Sequence, residues 1–228
     1  MKNVLIIIKK EIKDTLKNRA VFMQFAIFPV LTLIMENAID IKDMPELCFT
    51  KLFSIMFMGM APLTSCAAII SEEKEKNTLR VLMMSDVKPW QYLTGIGIYV
   101  WTICMCGAAV MSTAYKGKDV LFYLFVMGVG FAISVVIGAC IGIYSKNQMV
   151  ATSLYMTVFM ILSFLPMLAL FNESIKKIAK IFYTQQIRMI LDDMSFDGLT
   201  LQGGIIVIAN ITLAIMLFFL IFRKKGLE

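Results

Sequence analysis

The stretch SEEKEKNTLRVLMMSDVKPWQ, Ser71–Gln91, places four acidic and four basic side chains between two apolar runs, 52–70 and 92–114. Each run is close to the roughly 20 residues that a helix needs to cross the hydrocarbon of a bilayer. A charge cluster of this density is excluded from hydrocarbon, so it separates two membrane spans. The most polar segment of the chain is therefore a loop between spans, and the remaining sequence is read outward from it.

The composition agrees. Of 228 residues, 59% are hydrophobic, and the mean hydropathy is +0.80. Soluble domains are about 45–50% apolar, so the solvent for most of this surface is lipid. Six segments have the length and character of spans: 20–39, 52–70, 92–114, 120–144, 149–171 and 204–222. Only helices and closed barrels satisfy every backbone group in hydrocarbon. The alternation of a barrel strand is missing, so the fold class expected is all-α, a polytopic membrane protein with six transmembrane helices.

The chain has no histidine, which removes His-dependent nucleophilic triads, His-zinc protease motifs and haem ligation by His. The five cysteines read as small hydrophobes rather than a disulfide framework. Cys104 and Cys106 point about 200° apart on a helix, a poor arrangement for a metal. The N-terminal apolar run is interrupted by lysines, so no cleavable leader is expected.

An even span count puts both termini on one side. With both inside, the inner segments hold 14 basic and 7 acidic residues, a balance of +7, and the outer ones 8 and 9, a balance of −1. Cytoplasmic loops carry the Lys/Arg excess, so both termini are expected to be cytoplasmic. Two amphipathic segments lie outside the spans. In 1–19, Leu5, Ile8, Ile12 and Leu16 recur at helical spacing opposite Lys9, Lys10, Lys13 and Lys17, which reads as an interfacial helix on the inner leaflet of the lipid bilayer. In 172–203, Ile175, Ile178, Ala179 and Phe182 form one stripe and Ile187, Ile190, Leu191 and Met194 another. Two short helices at the outer leaflet are expected there, with a break near 184–186.

The spans hold almost no charge, Glu36 near the outer end of the first being the exception. Ion-coupled carriers commonly keep ionisable groups near the midplane, so a carrier driven by a buried carboxylate is disfavoured. Gly138-x-x-x-Gly142 permits close helix approach, within the chain or in a dimer. Pro29, Pro62 and Pro166 are expected to bend the first, second and fifth spans.

Within the charged loop, 71–91, Leu79, Leu82 and Met83 share one helical face among Glu72, Glu73, Lys74, Glu75, Lys76 and Arg80. Asp86 is a candidate cap for a following helix that has Pro89 in its first turn. The picture is a short amphipathic helix outside the membrane, with an apolar stripe suited to a protein partner.

The run Glu73-Lys74-Glu75-x-Asn77-Thr78-Leu79-x-x-Leu82 resembles the Glu-(Arg/Lys)-Glu-x-Gly-Thr-Leu-Glu-x-Leu signature of type-2 ABC transporter permeases, the membrane subunits of bacterial exporters. The resemblance covers essentially the whole of 1–228 as one permease domain: six spans, an N-terminal amphipathic helix, the motif between spans two and three, and short re-entrant helices before span six. Asn77 stands where the family has Gly, and Asn tolerates the left-handed turn next best. Arg80 replaces an acid.

The resemblance implies that the loop is a coupling helix docked on a separate ATPase subunit, with Glu73, Glu75, Asn77, Thr78, Leu79, Leu82 and Met83 at the coupling site. It implies two ATPase copies that bind ATP and Mg, no cofactor on this chain, a second permease chain, identical or homologous, and a bacterial plasma membrane location. The chain carries no Gly-x-x-x-x-Gly-Lys-(Ser/Thr) phosphate loop, so ATP hydrolysis falls to the partner. No nucleic acid partner is expected.

A surface of Met, Phe, Ile, Ser and Thr suits an amphipathic or hydrophobic cargo, a peptide such as a bacteriocin first, then a drug or lipid. The competing readings are an ATP-independent carrier or channel, a sodium exporter, and an intramembrane endopeptidase of the CAAX type. The last needs histidines as well as paired glutamates.

Overall fold

The computed structural model of the chain describes residues 2–17, 19–38, 45–85, 87–195 and 201–225, and among them every regular element is a helix. In order these are α1 (Lys2–Lys17), α2 (Arg19–Ala38), α3 (Cys48–Glu75), α4 (Thr78–Met84), α5 (Pro89–Met111), α6 (Lys118–Tyr144), α7 (Gln148–Phe159), α8 (Leu165–Leu168), α9 (Glu173–Ala179), α10 (Tyr183–Asp193) and α11 (Leu201–Lys225). A π-helical segment, Met160–Phe164, joins α7 to α8 and delivers Pro166 to the first turn of α8. There a missing backbone N–H is tolerated.

Among the described residues, five helices are long and apolar enough to cross a membrane: α3, α5, α6, the α7–α8 unit and α11. The sixth expected span, α2, has 20 residues, about 30 Å at 1.5 Å per residue. Its apolar part among the described residues is shorter, Phe22–Ala38. The expectation for Asp86 lies outside the described residues, as does that for the side chain of Leu16.

The hub is α3, which packs against α2, α5, α6, α7 and α10. Its 28 residues extend about 42 Å, beyond the roughly 30 Å of hydrocarbon, so its last turns stand clear of the lipid. The closest approach is to α6. A Cβ on Gly138 would lie 2.4 Å from the Leu63 carbonyl oxygen, and one on Gly142 would lie 2.8 Å from Ile70 Cβ. The Gly-x-x-x-Gly pair is thus an intrachain seam that lets two backbones meet.

Hydroxyls tie the same helices together. Ser134 Oγ of α6 donates to the Met58 carbonyl of α3 at 2.7 Å and pairs with the Tyr183 hydroxyl of α10 at 2.6 Å. Ser54 Oγ pairs with the Tyr123 hydroxyl at 2.7 Å. Each is a buried polar group whose partner is another buried polar group, as low-dielectric surroundings require.

The helix ends fall into two groups. At one end meet α1, the end of α3, α4, the start of α5 and the α6–α7 turn. At the other lie the α2–α3 and α5–α6 junctions together with α10. Glu36, the lone acid of the first expected span, works at that second end. Its Oε2 accepts from Thr50 N and Thr50 Oγ1, both at 2.8 Å, satisfying first-turn donors of α3.

The second amphipathic segment forms two helices as expected, but the break falls at 180–182 rather than 184–186. Phe182 is extended, with φ −94° and ψ 139°, and Thr184–Gln186 form the first turn of α10. The apolar stripe of Ile187, Ile190 and Leu191 is buried, whereas Ile178 is exposed. By contrast α11 packs mainly along α6 and α10, leaving most of its apolar surface outward.

Candidate functional site

The end of α3 carries four consecutive charges, and each has its own partner. Glu72 pairs with Lys76 one turn on, which raises the Lys76 pKa through the hydrogen bond to the carboxylate. Glu73 is buried and pairs with Lys10 of α1. Lys74 Nζ donates to the Ile143 carbonyl in the last turn of α6 at 2.8 Å. Glu75 Oε2 accepts from Gln148 N, the first residue of α7, at 2.7 Å.

A cation thus meets the negative end of one helix dipole, and an anion meets the positive end of the next. Asn147 completes the α7 cap by accepting from Val150 N at 2.9 Å. The three residues Glu73, Lys74 and Glu75 clasp α1, α6 and α7 to the tip of α3.

The clasp reaches further through α1. Lys10 also pairs with Glu11 at 3.0 Å. Burial pushes the Glu11 carboxyl above its usual range, against the pull of Lys10. Asn3 Nδ2 donates to Gln91 Oε1 at 3.1 Å, and the same oxygen accepts from Lys88 N at 3.1 Å, capping α5. Thr15 bonds the Tyr99 hydroxyl. The buried face of α1 is therefore Ile7, Glu11 and Thr15, lying along α5. Of the interfacial stripe, Leu5 and Ile12 face outward and Ile8 packs partly inward.

After Glu75 the chain reverses. Asn77 adopts φ 58° and ψ 10°, the left-handed conformation that Asn tolerates better than other side-chain-bearing residues. Thr78 Oγ1 donates to the Glu73 carbonyl at 3.1 Å, closing the turn. The seven-residue α4 then folds back against α3.

Its stripe is directed inward: Leu79 is 1% exposed, and Leu82 and Met83 pack on the core. Val81 and Met84 are the apolar side chains that face solvent, at 62% and 81% exposure, beside exposed Arg80. Reading the loop by composition alone missed this partition, because a seven-residue helix has apolar residues on both sides. The roles of Lys10 and Gln148 were also missed. Lys10 resembles any lipid-facing lysine, although Asn147 before an apolar run is a legible N-cap signal.

Breaking a buried ion pair costs roughly 3–5 kcal/mol, reduced here to about 2 kcal/mol because Lys10 is 38% exposed. Lys10→Ala is expected to lower the thermal unfolding midpoint of the detergent-solubilised protein by several degrees. Lys9→Ala, at an exposed position, serves as the control and leaves it in place. Equal midpoints for the two variants would remove Glu73–Lys10 from the clasp.

A multi-pass helical membrane protein with a short helix held rigidly beyond the hydrocarbon by a Glu-Lys-Glu clasp has the form of a transporter membrane subunit. The chain belongs to the ABC-2 family of transporter proteins, whose pattern matches residues 7–223. No curated protein matches it. It is a type-2 ABC permease, a transport subunit rather than an enzyme, and the family implies an ATPase partner.

Proposed function

We propose that this chain is the permease of an ATP-driven bacterial exporter, and that α4 is the coupling helix docked on the ATPase subunit. The observation that carries this reading is the clasp. A push on α4 meets a helix whose base is bonded to α1, α6 and α7, so the force is shared among the membrane helices. In this proposal Glu73, Glu75, Asn77 and Thr78 build the frame, Leu79, Leu82 and Met83 seat α4 on it, and Arg80, Val81 and Met84 touch the ATPase. Two ATPase copies bind ATP and Mg, and a second permease chain, identical or homologous, completes the pathway. All six helices, α2 included, cross the plasma membrane, and the clasp lies on the cytoplasmic side with both termini. The exposed Leu5 and Ile12 hold α1 at the lipid interface.

The cargo proposed is an amphipathic or hydrophobic molecule, a peptide of the bacteriocin type before a lipid or drug. The exposed face of α7 and the start of the π-helical segment support this, since they alternate Met149, Met156 and Met160 with Ser153 and Thr157. Methionine adapts to irregular apolar shapes, and the hydroxyls meet backbone groups. Reconstitution in vesicles with its cognate ATPase is the test, reading ATP hydrolysis against peptides, lipids, drugs and sodium. Stimulation by an amphipathic peptide is expected, and stimulation by sodium alone overturns the cargo assignment. In the same vesicles Cys replacements at Lys76 and Asp193 check orientation, the first reached from the cytoplasmic side and the second from outside.

A further inference from the structure

The opposite end of the molecule carries a cavity of about 310 Å³ between α3, α8 and α10. This is at the lower end of small-molecule sites, about 300–1,000 Å³. Its wall is divided. Leu52, Ile55, Met167 and Leu170 make an apolar side, and Lys51, Arg188 and Asp192 make a charged one.

The charges do not close on themselves. The Arg188 side chain is 11% exposed, and its nearest carboxylate oxygen, on Asp192, is 3.7 Å away, beyond hydrogen-bond reach. Its Nε and Nη1 have no hydrogen-bond partner among the described residues. Lys51 Nζ donates to the Asp192 backbone carbonyl at 3.0 Å, leaving the lysine charge without a carboxylate in hydrogen-bond contact there. Burial lowers the Arg188 pKa and raises that of Asp192, so both charges are held against the cost of desolvation.

Native proteins rarely leave such groups unmatched, because each costs about 1–3 kcal/mol. Two unmatched guanidinium nitrogens beside a lysine in one cavity are the pattern of a site whose ligand supplies the acceptors.

We propose that this cavity binds an anionic amphiphile, with its acidic headgroup, phosphate or carboxylate, on Arg188 and Lys51 and its alkyl chain along Leu52, Ile55, Met167 and Leu170. Guanidinium is suited to this task, since it presents several donors to oxyanions and is weakly hydrated. The apolar wall excludes a fully hydrated anion, and the charged wall rejects a neutral lipid. The site lies away from the clasp, at the other end of the bundle, and does not depend on the ATPase reading.

The test uses the purified full chain in a neutral detergent, without nucleotide. Thermal midpoints are read against short-chain phosphatidylglycerol, a medium-chain fatty acid, short-chain phosphatidylcholine and inorganic phosphate. Phosphatidylglycerol and the fatty acid are expected to raise the midpoint in a saturable way. Phosphatidylcholine and inorganic phosphate are expected to leave it unchanged. If only phosphatidylglycerol acts, the ligand is a phospholipid; if only the fatty acid acts, it is a carboxylate amphiphile. Arg188→Gln is expected to weaken binding about tenfold or more, by loss of charge-assisted hydrogen bonds. Lys51→Gln, at the more exposed rim, keeps the fold intact and is expected to weaken it several-fold. An equal response to phosphatidylcholine, an equal response to inorganic phosphate, or unchanged affinity in Lys51→Gln together with a folded Arg188→Gln overturns the proposal.

Discussion

Val81→Asp combined with Met84→Asp is expected to release the ATPase subunit from the permease while the permease itself remains folded. The two side chains are the apolar groups that α4 shows to solvent. Replacing exposed residues shifts stability by only about ±0.5 kcal/mol. At the centre of an interface such residues are worth about 2 kcal/mol or more, so affinity is expected to fall roughly 30-fold or further. Leu79→Asp has the opposite signature. That side chain is 1% exposed in the chain's own core. A carboxylate there costs about 4 kcal/mol or more in lost burial and desolvation. The variant is expected to accumulate poorly, whatever the ATPase does. Pull-down and thermal unfolding separate the two results. Retention of the ATPase by the double variant, with unfolding unchanged, removes the outward face of α4 from the interface.

Gly138→Val is expected to disrupt the helix packing itself. Its Cβ would sit 2.4 Å from the Leu63 carbonyl oxygen and 3.1 Å from the Leu63 carbonyl carbon. Backbone, unlike a flexible side chain, has no rotamer with which to retreat, so α3 and α6 must separate. Overpacking of a core costs about 1–3 kcal/mol and sometimes more, and here the upper part of that range is expected. Separation at this point also disturbs the Ser134 bonds to Met58 and Tyr183 farther along the same seam. Gly128→Ala is the matched comparison, because its Cβ would meet Trp101 at 3.4 Å, an ordinary contact. Expression with retention on size-exclusion chromatography is expected for Gly128→Ala and lost for Gly138→Val. A well-behaved Gly138→Val would mean that the seam is looser than its geometry.

What the sequence made legible was whatever hydropathy and local turn chemistry govern. The long apolar helices stand where their residues predict, Pro89 opens α5, and Asn77 takes the left-handed turn. Gly138 and Gly142 face α3, the intrachain alternative. The clasp was illegible for a different reason. Lys74 and Glu75 bond residues 69 and 73 positions away, and no periodicity within a segment encodes a partner in another. The direction of the α4 stripe failed similarly, since exposure of an apolar residue on a short helix depends on what lies beneath it. In the sequence Arg188 carries no signal that sets it apart from the other basic residues. Its interest lies in being nearly buried, which becomes visible once α10 is laid against α3.

The clasp also has an order in time. Chains enter the membrane from the N-terminus, so α3 is made before α6 and α7. When Glu73 emerges, its partner Lys10 has already been synthesised, 63 residues earlier. Lys74 and Glu75 emerge before the ends of α6 and α7 that they bond. They must wait for helix ends 69 and 73 residues downstream. In that interval the two charges stand beside a newly inserted helix, short of the helix ends they will join. When the last turn of α6 and the first of α7 arrive, the same two side chains become their caps. The pair made first thus closes a turn between two helices made later. An error in the orientation of α6 therefore leaves Lys74 and Glu75 without their caps, and the misthreaded chain lacks the joint that a finished one possesses.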